Sequence, residues 1–106
     1  MIVRTAILEG TVAAADRDRF DRHMSAVVLP AIGFYPGIVE VKLRRTVEVD
    51  EGAPPVYMAF DLYFKSLDDM RAALASPIRQ QVREEIAKGV AMFKGRVYHI
   101  VSAEAD

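Results

Sequence analysis

The chain has 106 residues, balances 14 Lys and Arg against 15 Asp and Glu, and contains no cysteine. With 52% hydrophobic and 27% charged residues, it has the composition of one globular domain with a small core, and no block of like charge points to nucleic acid. The lack of cysteine excludes disulfides, thiol nucleophiles and cysteine-held metals, and fits the cytoplasm better than secretion.

The first eight residues, Met1-Ile2-Val3-Arg4-Thr5-Ala6-Ile7-Leu8, read as a strand bounded by Glu9-Gly10. The stretch is short and interrupted by Arg4, so it does not have the form of a signal peptide, and no run reaches membrane-spanning length. A soluble cytoplasmic protein with no membrane partner is expected. No repeat, linker or low-complexity segment divides the sequence, so residues 1–106 are read as a single domain.

Asp16 is placed to cap a helix in which Phe20, Met24 and Val27 form an apolar stripe, with His23 in the same arc. Pro30 disfavours helical geometry at Leu29, so the helix is expected to end there. Gly33, Pro36 and Gly37 mark a turn-rich connection that carries Phe34 and Tyr35. Residues 38–49 alternate with period two. Val39, Val41, Leu43, Val47 and Val49 share one face, and Glu40, Lys42, Arg44, Thr46 and Glu48 the other. The loop Asp50–Pro55 is short enough to make the next strand its antiparallel partner.

That next strand, Val56–Phe64, is the longest near-continuous apolar run in the chain. Alternation puts Val56, Met58, Phe60, Leu62 and Phe64 on one face, and Tyr57, Ala59, Asp61 and Tyr63 on the other. Both faces therefore need cover, as expected of a central strand with helices on one side and a pocket or second subunit on the other.

Ser66 followed by Asp69 starts a short helix with Leu67, Met70 and Leu74 on its apolar stripe. Ser76-Pro77 is a second start signal, so the helix is kinked or restarted there. Ile78, Val82 and Ile86 recur at spacing four, and Gly89 is read as the C-cap. Residues 96–102 form the last strand and Ala103–Asp106 a loose tail. The order β-α-β-β-α-β is a ferredoxin-like α+β arrangement: a four-stranded antiparallel sheet with both helices on one face. The other face calls for a partner, and a homodimer packed sheet to sheet is the commonest solution.

The block Phe64-Lys65-Ser66-Leu67-Asp68-Asp69-Met70-Arg71-Ala72-Ala73-Leu74-Ala75-Ser76-Pro77 resembles the matching block of EthD-like proteins of the dimeric α+β barrel superfamily. The turn Pro36-Gly37, following a helix with Phe20 and His23, adds to the likeness. The resemblance implies a dimeric α+β barrel with a cavity between sheet and helices in each subunit. It also implies a relationship to lactone isomerases, polyketide cyclases and cofactor-free monooxygenases. Where that family often has a histidine two residues before the proline of helix one, this chain has Val28, so a mechanism resting on that histidine does not carry over.

Asp61, a carboxylate on a doubly covered strand beside Tyr57 and Tyr63, is expected to act as general acid or base, or else to pair with an arginine such as Arg4. His23 is either a general base at the cavity mouth or a packing residue bonded to a backbone carbonyl. His99 on the last strand, with Tyr35, Tyr57, Tyr63 and Tyr98, makes up the candidate substrate-binding set, the tyrosines acting through their hydroxyls. Two histidines are too few for a three-histidine zinc site, and no ligand cluster suggests a metal. There is no phosphate loop, dinucleotide fingerprint or nucleophile elbow.

These readings converge on a small cofactor-independent enzyme of isomerase, cyclase or monooxygenase type that binds a hydrophobic, oxygen-bearing small molecule. The alternatives are a non-catalytic binding or accessory protein of the same fold and, more weakly, a haem-dependent monooxygenase using His23 or His99 as axial ligand.

Overall fold

In the computed structural model, which describes residues 1–105, every strand bonds its neighbour in antiparallel fashion. The elements are β1 (Ile2–Val12), α1 (Arg17–His23), α2 (Leu29–Ile32), β2 (Ile38–Arg45), β3 (Val56–Phe64), α3 (Leu67–Leu74), α4 (Ile78–Val90) and β4 (Phe93–Ala103). The sheet order is β2-β3-β1-β4. This is the ferredoxin-like α+β fold, with the helices over one face of the sheet. Among the described residues no helix is long and apolar enough to cross a membrane.

The core lies between that face and the helices. Phe60, Phe64 and Met58 of β3 meet Phe20, Met24 and Val28 from the first helical segment, all six at 2% exposure or less. The buried positions of that segment, Phe20, Met24, Val28 and Ile32, are four residues apart throughout, wider than the 3.6-residue turn. A π-turn at Met24–Val28 absorbs the difference, with Leu29 N–H at its C-terminal end donating to the Met24 carbonyl. The turn also loosens the backbone where Pro30 offers no N–H and its ring would crowd the preceding carbonyls. The helix therefore continues past Leu29 to Ile32, and the expected stripe shifts by one. Val28 is buried, while Val27 is 40% exposed. Asp16 makes no capping bond; its carboxylate accepts instead from Arg19 Nη2 at 2.8 Å.

The strands also depart from simple alternation. β1 extends beyond Glu9 to Val12 because Gly10 pairs directly with Gly95 of β4. Both have positive φ, and a Cβ on either would run into the facing backbone, so only glycine passes at this crossing. β2 stops at Arg45, short of the expected Val49. Its partner β3 begins at Val56, and Thr46 N–H to the Tyr57 carbonyl is the last bond between them. Val47, 98% exposed, lies outside the core. A bulge at Val39 interrupts the register with β3.

A second bulge matters more for the site. The β1–β3 register steps from Leu8↔Met58 to Glu9↔Val56 and leaves Tyr57 without a partner. Tyr57 thereby turns to the helix side, edge-on to Phe20 at 5.4 Å, and leaves the Asp61 face on which alternation put it.

The second helix forms in two parts as expected, although Leu67 of the expected stripe is 40% exposed and α4 takes Pro77 rather than Ser76 as its N-cap. Ser66 Oγ accepts from Asp69 N–H at 3.1 Å at the start of α3, and Ser76 Oγ donates to the Ala73 carbonyl at 2.6 Å where that helix ends. Gly89 is no cap. It lies buried within α4, where an added Cβ would collide with Met24 Cε and stand 3.1 Å from His23 Cδ2. At the chain end Ala103 belongs to β4 and Glu104 N–H donates to the Met1 carbonyl at 2.9 Å, so this part of the expected tail is paired; Asp106 lies outside the described residues.

Candidate functional site

A cavity of about 240 Å³ opens between the sheet and α4. Ten of its fifteen lining residues are apolar, Ala6, Leu8, Phe60 and Leu62 from the sheet and Val82 and Ile86 from α4 among them. The other five are Arg4, Tyr35, Arg79, Arg83 and His99. An apolar chamber with a few convergent polar groups is the usual form of a small-molecule site.

Each polar group arrives by a definite route. Arg4 follows Ile2 and precedes Ala6 and Leu8 on the helix-facing side of β1. His99 is paired with Ala6 in the adjacent strand β4, so its ring shares that side. Tyr35 enters from the turn after α2 and is 5% exposed. Arg79 and Arg83 are one helical turn apart on α4, flanking the Ile78–Val82–Ile86 stripe. Arg79 Nη1 donates to the Leu74 carbonyl at 3.5 Å. Among the described residues no carboxylate lines the cavity.

The electrostatics follow from that imbalance. Burial of the ring, reinforced by the charges of Arg4, Arg79 and Arg83, pushes the His99 imidazole down to about 4, so it is neutral near pH 7 although the residue as a whole is exposed. Burial raises the Tyr35 phenol, against the opposing pull of Arg79, Arg4 and Arg83, which keeps it an O–H donor. Burial, then the Arg79 charge, lower the Arg4 guanidinium; the Tyr35 phenol opposes them, and the Arg83 charge adds a smaller lowering. The site thus sets a neutral acceptor and a hydroxyl donor inside a cationic field.

Of the expected site residues, only Tyr35 and His99 reach this chamber. Asp61 points from the opposite, open face of the sheet. There it accepts from Thr5 Oγ1 at 2.8 Å, Arg44 Nε at 2.7 Å and Arg44 Nη2 at 3.1 Å. Burial alone would raise its carboxyl, but the bonds from Arg44 and Thr5, with the Arg44 and Lys42 charges, outweigh burial and hold it below the usual carboxylate range. A carboxylate so fully engaged and turned away from the cavity is a poor proton shuttle. Its partner is Arg44, not Arg4, because Arg4 lies on the helix side.

Tyr63 and Tyr98 share the open face with Asp61. Lys42 Nζ sits 5.2 Å from the Tyr63 ring centre and the Arg96 guanidinium carbon 5.1 Å from that of Tyr98. Tyr57 donates its hydroxyl proton to Asp21 Oδ1 at 2.6 Å. Burial and that bond push its phenol up to about 12. His23 packs against Gly89 and donates from Nε2 to the Glu85 carbonyl at 2.6 Å, so it joins α1 to α4 and does not line the cavity. Neither histidine fits a haem. The His23 nitrogen is engaged by a carbonyl, and the chamber at His99 falls below the ~300–1,000 Å³ of pockets for drug-sized ligands.

The residues that sequence reasoning missed are Arg79 and Arg83, together with the true setting of Arg4. Their signal was available: Arg4 interrupts an otherwise apolar strand face, and Arg79 and Arg83 repeat at spacing four beside an apolar stripe.

Comparison with solved structures gives three informative neighbours. An ethyl tert-butyl ether D (EthD) family protein from Bacillus halodurans is similar with a TM-score of 0.79 at 18% identity, covering 99% of this chain and 100% of that one. SnoaB, a cofactor-independent oxygenase from Streptomyces nogalater, is similar with a TM-score of 0.65 at 18% identity, covering 99% and 93%. An antibiotic biosynthesis monooxygenase matches with a TM-score of 0.65 at 10% identity over 100% of both chains. This chain shares their fold. No protein-family model matches it, and no curated protein matches it in sequence. At these identities the likeness concerns the fold, so the chemistry has to be argued from the cavity.

Proposed function

We propose that the protein is a small cofactor-independent enzyme that binds a hydrophobic, oxygen-bearing molecule between its sheet and helices and moves a proton on it. The observation that carries this reading is the meeting of Tyr35 and His99, from distant parts of the chain, in one apolar chamber. A neutral imidazole accepts a proton from carbon beside a carbonyl. The electron pair then moves to the carbonyl oxygen, where the Tyr35 hydroxyl and the arginines meet the developing charge. In the empty cavity His99 is a weak base, because burial and the arginine field both oppose its protonation. An oxyanion arriving in that field restores its basicity.

The fold neighbours lend support, since SnoaB is described as a cofactor-independent oxygenase. We further propose that the protein works as a homodimer joined through the open sheet face. Ile100, 48% exposed, and the half-buried Ile7 and Tyr98 leave apolar area there that a second copy would cover.

The test is deuterium exchange from solvent into candidate carbonyl compounds, with His99→Gln and Tyr35→Phe beside the parent protein. Exchange that falls at least about 100-fold in His99→Gln, with folding intact, supports the enzyme. Saturable binding without exchange in the parent makes the protein a binder.

A further inference from the structure

We propose that the ligand of this cavity is an organic acid, a carboxylate on a compact apolar body, held by Arg4, Arg79 and Arg83. This rests on the cavity being the ligand site and names the class of molecule it takes.

Three guanidinium groups, that of Arg83 on an exposed residue, line one small chamber, and among the described residues no carboxylate lines it with them. Elsewhere Arg19 pairs with Asp16, Arg44 with Asp61, Lys88 with Glu85 and Arg96 with Glu9, but no other group of unpaired cations lines a cavity among the described residues in this way. No ion pair among the described residues involves Arg4, Arg79 or Arg83. Arg4 is half-buried on a sheet strand, a position where an unpaired charge is costly. Arg79 and Arg83 lower the protonation of Arg4, and all three lower that of His99. A fold that needed only packing here would do better with leucine or glutamine. Groups held in mutual repulsion around a cavity are the mark of a site arranged for an absent counter-charge.

Guanidinium forks favour planar oxyanions, which they hold through two parallel bonds. The rest of the lining restricts the class further. Ten apolar residues give a hydrated phosphate or sugar little to bond, but suit an aromatic or branched hydrocarbon body. Tyr35 and His99 remain to contact a second oxygen, such as a keto, hydroxy or lactone group. With about 240 Å³, the chamber takes a molecule near the size of a single substituted ring.

Phenylacetate and its neutral isostere phenylacetamide are the probes, titrated into the full-length protein with NMR readout at the His99 and Tyr35 rings and at the Val82 and Ile86 methyls. The expected result is that both perturb these resonances and that the acid binds ~10- to 100-fold more tightly. Arg83→Gln should narrow that gap without lowering the melting temperature, because it removes a repulsion; Arg79→Gln should narrow it too, at a small cost for its long bond to the Leu74 carbonyl. A structural arginine would behave in the opposite way.

Equal affinity for acid and amide at these residues overturns the inference and leaves the cavity reading standing. Preference for the acid that persists undiminished in both variants also overturns it, since the carboxylate would then sit elsewhere. Inorganic phosphate binding as tightly as phenylacetate would show that the apolar wall contributes nothing, and the organic-acid class would be wrong. If neither organic probe moves the cavity resonances, the cavity reading fails and takes this inference with it.

Discussion

Arg44 holds Asp61 by both carboxylate oxygens, Nε to Oδ2 at 2.7 Å and Nη2 to Oδ1 at 3.1 Å. The two residues stand on neighbouring strands, and the pair faces away from the cavity. Asp61 is 6% exposed, whereas the Arg44 side chain is 61% exposed. The carboxylate is therefore the dependent partner: it has given up its water, while the guanidinium keeps most of its own.

That asymmetry sets the cost of breaking the pair. Removing one partner of a fully buried pair costs about 3–5 kcal/mol because the other charge is stranded. Within a single protomer Asp61→Asn strands nothing, since Arg44 turns to solvent and the amide still accepts from Thr5. We expect a loss of about 1–2 kcal/mol, read as a shift in urea midpoint at unchanged m-value, and no change in ligand affinity. The same face is the proposed dimer interface. A loss that grows on dilution would locate Asp61 in that interface; a loss of affinity for cavity ligands would contradict the separation of the two faces.

The pH dependence of this pair has a fixed sign. The folded carboxyl is held below its unfolded value, so its contribution is present above an unfolded pKa of about 3.9. It is lost as pH falls through the lower folded value. Parent and Asp61→Asn should therefore differ in stability at pH 7 and converge under strong acid. Denaturant midpoints measured across that range check this.

His99 titrates under the control of other residues. Its imidazole is faced by Arg4 from β1, Arg79 and Arg83 from α4, and Tyr35 from the turn before β2. Its midpoint in the ligand-free protein is expected near 4, against about 6.5 unfolded. Because the unfolded chain takes up the proton first, stability should fall as pH drops below about 6.5 and level off below about 4. The imidazole is still partly hydrated, so the slope should be shallower than a fully buried group would give. Arg83→Gln should raise the midpoint, and so should saturating phenylacetate, since either reduces the positive field. NMR titration of the His99 ring carbon protons measures all three. A midpoint unmoved by both would mean that burial alone sets it.

Element order and helix restarts were legible in the sequence because they depend on local signals. The serine pairs around α3 and α4, and the uninterrupted apolar run of β3, are such signals. Site geometry was less legible. Alternation assigned Tyr57 to the Asp61 face, but a bulge opposite Glu9 reverses its direction, and a bulge is a property of two strands together. Likewise the π-turn that exchanges Val27 for Val28 answers a proline two residues downstream. His99 was found as a candidate, yet its company was not. Arg79 and Arg83 look like ordinary helix-surface charges until β1 brings Arg4 to the same chamber.

Gly89 offers a test of the packing that closes the cavity's helical wall. Glycine inside a helix is unfavourable, and alanine at an open helical site gains about 1 kcal/mol. At Gly89 the added methyl would meet Met24 Cε and press on His23, whose ring is tied to the Glu85 carbonyl at 2.6 Å. Met24 can yield because its side chain is flexible; His23 can yield only by straining that bond. Overpacking costs about 1–3 kcal/mol, so the two effects should leave Gly89→Ala about 1 kcal/mol less stable than the parent. Pairing the change with Met24→Ala would remove the larger obstruction. If crowding is the cause, the double variant should lie above the sum of the two single losses. Thermal melts of the four proteins decide this, and strict additivity would mean that Gly89 is retained for some reason other than its contact with Met24.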